Sequence, residues 1–597
     1  MLNKIMLHKI IDIFLVIFFY CVFIALASVL STVFIFASNN VLVDGIVTAK
    51  YFWFAASVCI VSFFIPFQLF QKKSIHVSDV LFAAFTLYIS INYFCLNGAP
   101  SMQWWLLLLM FPLYIVVRLA ASDEKLRRWL FSVILIVVLA QAVWGLLQLY
   151  GFARSYHNLY KITGTFFNPG PYSGFVAVGV PLALSYSLSK TLSRFERWLG
   201  MATLLACALV LPAAMSRAAW IAAIAGCVPV LIQVSSFKFR VSSFRFQVPI
   251  FNFTKIVIAA FITIALLAGA YYLKKDSADG RYVIWSASIE AVKENPVFGA
   301  GYGRFTAVYG DAQASYFLKK ERSAAQIMVA DSPDYAFNEY VQMTVELGIV
   351  GLILFLFLIG SCFIKIRSLT TNHCSLITIL VFAAFSYPFS VLPLVIMFVF
   401  LLALSAPASK KLSFTLPVWL RVIGVAIFFS ITAYGAHQIL PKRAAYKEWS
   451  SVRTLYNVNL YHEAAKEYAS LYAVLRHEKY FLFEYAQSLS KTGQYTESNR
   501  IFEEYLLYGS DPMVYNCMGN NYKEMGDYAK AENMYNRASQ IVPNRHYPLY
   551  LLMMLYQETA QIEKAKAMAG TLLDKPVKVQ STAIREMQLE AKRIIEN

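Results

Sequence analysis

Charged residues are scarce in this chain. Only 14% of its 597 residues are Asp, Glu, Lys or Arg, whereas 59% are hydrophobic, and this balance excludes a soluble globular protein. Acidic residues are the scarcer kind, with 34 Asp and Glu against 52 Lys and Arg, so the formal net charge is +18. No basic run is interleaved with aromatics as in nucleic-acid-binding surfaces. The positive charge therefore favours membrane topology and contact with anionic membrane lipids over nucleic-acid binding.

The cysteines form no pattern that indicates a disulfide framework or a zinc site. All eight are scattered, and all but the last fall within or beside apolar segments: Cys21, Cys59, Cys95, Cys207, Cys227, Cys362, Cys374 and Cys517. The sequence also lacks an Asp-x-Asp motif at a membrane edge that could hold a divalent ion. We therefore predict neither a metal site nor a cofactor.

Long apolar runs, in contrast, are abundant. Segments near the ~20 residues that a membrane-spanning helix requires lie at 11–37, 51–70, 79–97, 103–121, 129–150, 171–189, 198–215, 217–235, 254–273, 344–365, 373–389, 391–407 and 418–438. The first is too long for a signal-peptide core and lacks a small-residue cleavage site, so we interpret it as a retained span. The sequence predicts an all-α polytopic membrane protein with about thirteen transmembrane helices.

The basic residues of the short loops alternate between the two sides of the predicted membrane. With a cytoplasmic N-terminus, the inside loops hold most of them, and the outside loops hold chiefly Lys50, Arg154, Lys161 and Arg217. The positive-inside rule therefore supports this orientation and an odd number of spans. It places the long loop 274–343 and the tail after residue 440 on the outer face, which is the periplasm if the membrane is a bacterial inner membrane.

The tail 441–597 changes character and repeats itself. Related segments start at Asn459, Gly493, Gly526 and Ala560, which are 34, 33 and 34 residues apart, a period typical of paired-helix solenoids. Each is followed by a small residue and, four residues later, by Tyr468, Phe502, Tyr535 or Ala569. The tail resembles tetratricopeptide repeats, and the alternative is an unrelated bundle of helical hairpins. Such a solenoid offers a concave face to a protein partner. We therefore predict a membrane domain at 1–440 and a periplasmic repeat domain at 441–597.

Two polar segments interrupt the apolar runs on the outer face. In GTFFNPGPYSG, residues 164–174, the prolines and glycines exclude a helix around Asn168. We expect the side chains of Thr165, Asn168 and Ser173 to be left free, with a helix from Pro171 aiming its N-terminus at a phosphate; the alternative is an ordinary re-entrant turn. In the second, Ser216 and Arg217 interrupt a hairpin, where a diphosphate is a natural guanidinium partner. Its alternative is snorkelling to the interface.

Two more polar segments lie in and beside the long outer loop. The pattern at 281–294 predicts an amphipathic helix with Arg281 and Trp285 one turn apart on one face, followed by a flexible glycine strip at 299–303. After it comes DSPDYAFNEY at 331–340, which brings Asp334, Asn338 and Glu339 to the membrane edge. Ionisable groups in such places are costly and therefore suggest function.

These four segments, in this order and on this side, resemble the O-antigen ligase and polymerase superfamily, the polytopic C-type glycosyltransferases. The resemblance covers roughly residues 50–410. GTFFNPGPYSG resembles the family loop GTFxNPNxxA, Ser216-Arg217 matches the segment SRxAW, and Arg281 with Trp285 resembles the helix before a PxxGxG strip. Phe337, Asn338, nine residues and Gly348-Ile-Val-Gly351 reproduce the spacing of the ligase signature. Phe337 stands where that signature has histidine.

The resemblance implies a donor glycan on undecaprenyl diphosphate and a sugar hydroxyl as acceptor, on the lipid A core or a growing glycan. The transfer would be metal-independent and inverting, with Arg217 and Arg281 as catalytic residues that stabilise the departing diphosphate. Thr165, Asn168, Ser173, Ser216 and Trp285 would bind substrate, and Asn338 would lie at the site.

Phenylalanine cannot accept the proton of the attacking hydroxyl, so the vacant histidine position leaves three alternatives. Asp334 or Glu339 supplies the base, His157 reaches the site from the preceding loop, or the protein is one of the polymerase-like members that rely on arginines. Two other functions also remain open at this point: a transporter of lipid-linked glycans and a non-catalytic scaffold.

Overall fold

The computed structural model describes residues 20–62, 75–97, 102–234, 275–364, 370–405 and 417–596. The regular structure of these residues is helical, and no strand occurs among them. The all-α prediction is confirmed. The described residues within Met1–Tyr88, Met102–Ala270 and Ile353–Arg443 form one compact unit, and those within Ile89–Ser101, Tyr271–Leu352 and Ala444–Asn597 form a second.

The first unit consists mainly of apolar helices. They are α1 (Tyr20–Phe34), α2 (Gly45–Ser62), α3 (Val77–Asn97, whose last turns belong to the second unit), α4 (Met102–Ala120), α5 (Glu124–Leu149), α6 (Pro169–Leu188), α7 (Arg194–Ala213), α8 (Arg217–Val234), α13 (Thr371–Ala383) and α14 (Leu392–Ser405). Two further helices, α12 (Glu339–Phe363) and α15 (Val418–Asn457), are shared by the two units. The predicted hairpin at 198–235 is two helices joined by a three-residue turn.

Seven helices in the described part of the chain are long and apolar enough to cross a membrane. They are α2, α3, α4, α5, α7, α12 and α15, and four further apolar helices of 10–17 residues are α1, α8, α13 and α14. The membrane character of the protein therefore follows from the helices themselves. The count of thirteen spans stays a prediction, and the predicted span at 254–273 lies outside the described residues.

The second unit contains α9 (Lys275–Glu294), α10 (Phe305–Leu318), α11 (Ala324–Val329) and the first turns of α12. The sequence suggested that the glycine strip between α9 and α10 is flexible. In the structure, backbone hydrogen bonds hold it in place. The amides of Ala300 and Gly301 donate to the carbonyls of Val345 and Glu346 at 2.8 and 2.9 Å. There α12 breaks at Gly348, whose φ of 65° favours glycine.

The tail forms the predicted paired-helix solenoid. After the end of α15 come α16 (Tyr461–Leu475), α17 (Lys479–Lys491), α18 (Tyr495–Leu506), α19 (Pro512–Glu524), α20 (Tyr528–Ile541), α21 (Tyr547–Glu558), α22 (Ile562–Asp574) and α23 (Thr582–Glu596). The small and aromatic positions of the repeat are all fully buried: Ala464, Ser498, Ala531, Ala565, Tyr468, Phe502, Tyr535 and Ala569. These positions pack the hairpins together, as the repeat pattern predicted.

Each hairpin of the solenoid turns on one left-handed residue. Asn459, Gly493, Gly526 and Ala560 begin the four repeats, and all have φ between 58° and 79°. Glycine adopts this conformation without steric cost, whereas alanine and asparagine bear one. This explains why the two middle repeats match the tetratricopeptide pattern better than the outer two.

Candidate active site

The turn before α6, residues 163–168, is called the GTFF loop here. Gln148 near the end of α5 holds it with all four hydrogen-bonding positions of its carboxamide. Its Oε1 accepts from the amides of Thr163 and Gly164 at 2.9 and 2.7 Å, and its Nε2 donates to the carbonyls of Arg154 and Gly164, both at 2.9 Å. A single buried side chain therefore satisfies four backbone groups.

A second glutamine, two helical turns earlier on α5, fixes the next residue of the loop. Gln141 Nε2 donates to Thr165 Oγ1 at 2.8 Å, and Thr165 Oγ1 donates to the carbonyl of Val33 at 2.5 Å. The buried ammonium of Lys50 donates to the carbonyls of Thr165 and Ile35 at 3.0 and 2.7 Å. Lys50 thus lies inside α2, which corrects its interpretation as an outer-loop residue.

The side chains of Thr165, Asn168 and Ser173 were expected to be free, but each of them forms a hydrogen bond in the structure. Thr165 is saturated as described, and the buried Ser173 hydroxyl donates to the carbonyl of Pro169 at 2.6 Å. Asn168 caps α6: its Oδ1 accepts from the amide of Gly170 at 2.9 Å, so the helix begins at Pro169 rather than at Pro171. The described residues offer no acceptor to Asn168 Nδ2. Substrate binding by these three residues stays a prediction, with Asn168 the best placed of them.

Arg217 is the first residue of α8 and is half-buried. The preceding turn is closed by Met215 in a left-handed conformation, with φ at 53°, and by Trp220, whose indole donates to the carbonyl of Leu211 at 2.8 Å. The carbonyl of Ser216 accepts from the amide of Trp220 at 3.2 Å. The helix dipole disfavours a cation at this end, so the turn combines a guanidinium with helix amides that attract an anion.

Both anion-attracting helix ends of the first unit point the same way. The helices α6 and α8 pack against each other, with Pro181 beside Gly226. Two short turns reverse the chain between them, so they run in the same direction. The first turns that follow Asn168 and Ser216 consequently lie at the same end of this unit.

In the second unit, residues 334–339 form what is called the lip here. The indole of Trp285 donates to the carbonyl of Ala336 at 2.9 Å. The guanidinium carbon of Arg281 lies 5.5 Å from the ring centroid of Phe337, within the range of a cation–π contact. Helix α9 therefore holds the lip through both of the residues that the sequence analysis selected from it.

The lip has an unusual backbone at the position where the ligase signature has histidine. Phe337 adopts a φ of 52°, which is uncommon for a bulky residue and marks local strain. Asn338 then caps α12, because its Oδ1 accepts from the amides of Tyr340 and Val341 at 3.0 and 3.2 Å. The strained turn thus delivers the chain directly into a capped helix.

The three candidate bases have different surroundings. Asp334 forms an ion pair with Lys479, and its second oxygen accepts from the hydroxyl of Tyr480 at 3.1 Å. Glu339 is 5% exposed and lies in the first turn of α12, where the helix dipole favours a carboxylate. His157 belongs to the first unit, and its Nδ1 accepts from the amide of Leu159 at 3.0 Å.

Two half-buried tyrosines are close enough to Glu339 for its charge to affect them. Burial raises the pKa of Tyr302, and the charges of Glu346 and Glu339 raise it further. Burial likewise raises the pKa of Tyr335, with additional effects from Asp334 and Glu339. Both phenols therefore stay protonated.

Several structural residues of the candidate site were missed by the sequence analysis. Gln141, Gln148 and Lys50 fasten the GTFF loop. Asn92 fastens the glycine strip, donating to the carbonyl of Phe298 at 2.7 Å and accepting from the amide of Tyr302 at 2.9 Å. Each is a lone polar residue in an apolar helix, and this was the signal that could have identified them. Among the described residues no cluster of three His, Cys, Asp or Glu could hold a metal ion, and metal independence stays a prediction.

Comparison with known proteins gives one informative result. No curated protein matches the chain. A chain in the crystal structure of the APC/C hetero-tetramer Cut9-Hcn1 aligns with this chain at 11% sequence identity. The alignment covers 92% of this chain and 90% of the other chain, and its TM-score of 0.22 supports no conclusion. Residues 202–356, which include Arg217, Arg281 and the lip, match the O-antigen ligase family, so the resemblance drawn from the motifs is confirmed over this part of the chain.

Proposed function

We propose that the protein transfers a glycan from an undecaprenyl diphosphate-linked donor to a sugar hydroxyl during the assembly of surface polysaccharide, as an O-antigen ligase-like enzyme. The family match supports membrane function of the O-antigen ligase or polymerase type. The observation that carries the finer proposal is Arg217. A half-buried guanidinium on the first residue of an apolar helix lies next to backbone amides that attract anions, and this combination suits a lipid diphosphate.

The proposed chemistry needs charge stabilisation more than covalent help. The bond between the anomeric carbon and the diphosphate breaks as the acceptor oxygen attacks from the opposite face, so the reaction inverts the anomeric configuration. Arg217 and Arg281 offset the charge that develops on the departing diphosphate, and no metal ion is required for this. Asn168 Nδ2 offers a further donor, and Trp285 keeps the lip in place.

We assign the general base to Glu339. Asp334 lies in an exposed ion pair with Lys479, and His157 belongs to the first unit rather than to the lip. Glu339 lies two residues after Phe337, is the first residue of α12 and is 5% exposed, so it is the candidate base nearest in sequence to the vacant histidine position. General base assistance by such a group is worth roughly 10²- to 10⁴-fold in rate.

The test is a transfer assay with the purified full-length chain and a lipid-linked oligosaccharide. We expect Arg217→Ala to lower turnover by about 10²- to 10³-fold, as for loss of one group that stabilises transition-state charge. Arg217→Lys should recover only part of this, because lysine lacks the bidentate geometry. Arg194→Ala is the matched control, since Arg194 is the exposed first residue of the neighbouring helix α7.

The same assay separates the other functions. Unchanged turnover in both Arg217→Ala and Arg281→Ala would refute the proposed site. Movement of labelled donor lipid across a vesicle without a new glycosidic bond would identify a transporter. Absence of both, in a protein that expresses and folds normally, would leave the scaffold function.

Phe337 supports a second candidate, a polymerase of the same superfamily. Its ring packs with Arg281 where the ligase signature has histidine, which fits the members that work through arginines. A deletion strain distinguishes the two functions. Single-unit glycan on the lipid A core without long chains indicates a polymerase, whereas long chains that accumulate on the carrier lipid indicate a ligase.

We further propose that the protein spans a bacterial inner membrane, with a membrane domain at 1–440 and a periplasmic repeat domain at 441–597. The alternation of basic loops and the family match support this arrangement. The proposed boundary falls within α15, which continues from an apolar stretch into the first repeat. The solenoid leaves room for a protein partner on its concave face.

A further inference from the structure

The edge of the solenoid where one repeat joins the next is in contact with another segment of the same chain. This repeat edge consists of Lys479, Tyr480, Tyr508, Ser510, Arg537, Ile541, Asn544 and Arg545. The residues opposite it, called the docking segment, are 306–334 with α10 and α11. Both belong to the second unit. Contacts recur at three successive junctions of the solenoid.

Asn544 makes the most concentrated of these contacts. Its Nδ2 donates to the carbonyls of Ile327, Met328 and Ala330 at 3.1, 3.0 and 2.7 Å. These carbonyls lie at the end of α11, where a helix leaves its last carbonyls without internal partners. The side chain is only 9% exposed. One repeat residue therefore terminates a helix of the docking segment.

Helix α10 is joined to the repeat edge by buried bonds. Gln313 is fully buried, and its Nε2 donates to the carbonyl of Ile541 at 2.6 Å and to that of Asp331 at 3.1 Å. Ser510 Oγ donates to the carbonyl of Thr306 at 2.7 Å and accepts from the amide of Gly310 at 2.9 Å. A side chain at residue 310 would collide with Ser510, so the two backbones approach as closely as glycine allows.

Ion pairs add to these hydrogen bonds between the docking segment and the repeat edge. Three acidic residues of the docking segment pair with three basic residues of the repeat edge: Asp311 with Arg537, Asp331 with Arg545 and Asp334 with Lys479. The last pair lies three residues before Phe337. The chain between the end of α11 and the lip is therefore held at both of its ends.

We propose that the repeat domain positions the lip, and that Asn544 is a positioning residue for the transfer reaction. This inference rests on the proposed function. The repeat edge fixes the end of α11 and Asp334, and the lip that follows brings Phe337, Asn338 and Glu339 to their places. The repeats thus act on the candidate site from within the chain, whichever partner the concave face binds. Small misplacements of reacting groups are costly, about 10²-fold for 1 Å.

The test compares two buried asparagines of the same domain in the full-length chain. Asn544→Ala removes the bonds to the docking segment. Asn521→Ala is the matched control, because Asn521 is fully buried but donates to Ser498 and Asn499 inside the solenoid, at 2.9 and 2.8 Å. Amide hydrogen exchange of residues 324–338, thermal stability, kcat and KM are measured for each variant with a polyprenyl diphosphate-linked oligosaccharide.

We expect Asn544→Ala to speed amide exchange across 327–338 and to lower kcat by about 10- to 100-fold, with KM within about 2-fold of the parent. Asn521→Ala should lower thermal stability at least as much, yet leave exchange of the lip and kcat per folded molecule unchanged. Ser510→Ala, a milder truncation on the same edge, should give a smaller change of the same kind.

Each other result is decisive. Unchanged exchange in Asn544→Ala would overturn the docking. Faster exchange with unchanged kcat would overturn the positioning role and leave the proposed function intact. Equal losses of kcat in both variants, in proportion to stability, would reduce the edge to a folding role. If the parent chain transferred no glycan, the proposed function would be wrong, and the repeat edge could have no role in transfer. The amide exchange data would still test whether the repeat edge docks on the docking segment.

Discussion

The GTFF loop of the first unit and the lip of the second unit both come from recognisable motifs, but different forces hold them. The GTFF loop is closed by two buried glutamines and a lysine that bond to its backbone, and none of these partners is a carboxylate. The lip is held by a cation–π contact, an ion pair and a helix cap around a strained Phe337. The first arrangement saturates polar groups, whereas the second brings charged groups together around one buried carboxylate, Glu339.

This difference separates a structural motif from a catalytic one. A saturated loop has little left to offer a substrate, and its residues resist change because of the backbone groups they satisfy. A strained turn beside a buried carboxylate persists only when its surroundings enforce it, and such strain is typical of functional sites. Stability and activity should therefore respond oppositely to substitutions in the two regions.

The largest expected effect is on the stability of the GTFF loop. Gln148→Leu keeps the size of the side chain but removes its bonds to four backbone groups, three of them in the loop, at about 1–3 kcal/mol for each that stays unsatisfied. We expect a loss of roughly 3–5 kcal/mol in the free energy of unfolding, measured by thermal denaturation in detergent. Gln103→Leu, at an exposed position of α4, is the control and should change stability by less than about 0.5 kcal/mol. Similar losses in both variants would contradict the role of Gln148.

The next effect concerns activity alone. Glu339→Gln removes the proposed base, so turnover should fall by about 10²- to 10⁴-fold while the melting temperature stays close to that of the parent. Glu346, seven residues later on the same helix, gives the opposite control. Its carboxylate accepts from the amides of Gly303 and Phe305 at 3.1 and 3.3 Å, so Glu346→Gln should lower stability and spare turnover per folded molecule. A Glu339→Gln variant with full turnover would exclude this residue as the base.

Sequence patterns anticipated the architecture of both regions better than their bonding. Helical periodicity and the spacing of 33 to 34 residues fixed the repeats, because the small and aromatic positions are buried where a solenoid needs them. Thr165 was expected to be free but is bonded, and its partner Gln141 lies 24 residues away in sequence, where a local pattern does not reveal it. The left-handed Phe337 was also out of reach, because no residue-type preference predicts a phenylalanine there.

Phe337→His sharpens the comparison at the strained position. Histidine tolerates the left-handed conformation better than phenylalanine, but the variant loses the contact of the ring with Arg281, so the free energy of unfolding should change by less than about 1 kcal/mol. If Glu339 is the base, the new imidazole adds little, and turnover should stay within about 3-fold of the parent. Single-turnover rates with a lipid-linked donor measure this. A gain of tenfold or more would mean that the site lacks a base and that position 337 is its natural place.

The smallest expected effect concerns the ion pair between Asp331, three residues before the lip, and Arg545 of the repeat edge. Asp331 and Arg545 lie 2.8 Å apart, and both side chains are more than half exposed, so the pair is worth about 0–1 kcal/mol at low salt. Arg545→Ala should lower the free energy of unfolding by no more than that, and the difference from the parent should vanish in 1 M salt, where the Debye length is about 3 Å. The loss in Gln148→Leu should persist in the same salt, because buried uncharged bonds are not screened. If the stability loss of Gln148→Leu depended on salt, or that of Arg545→Ala did not, the two regions would not be held by different forces.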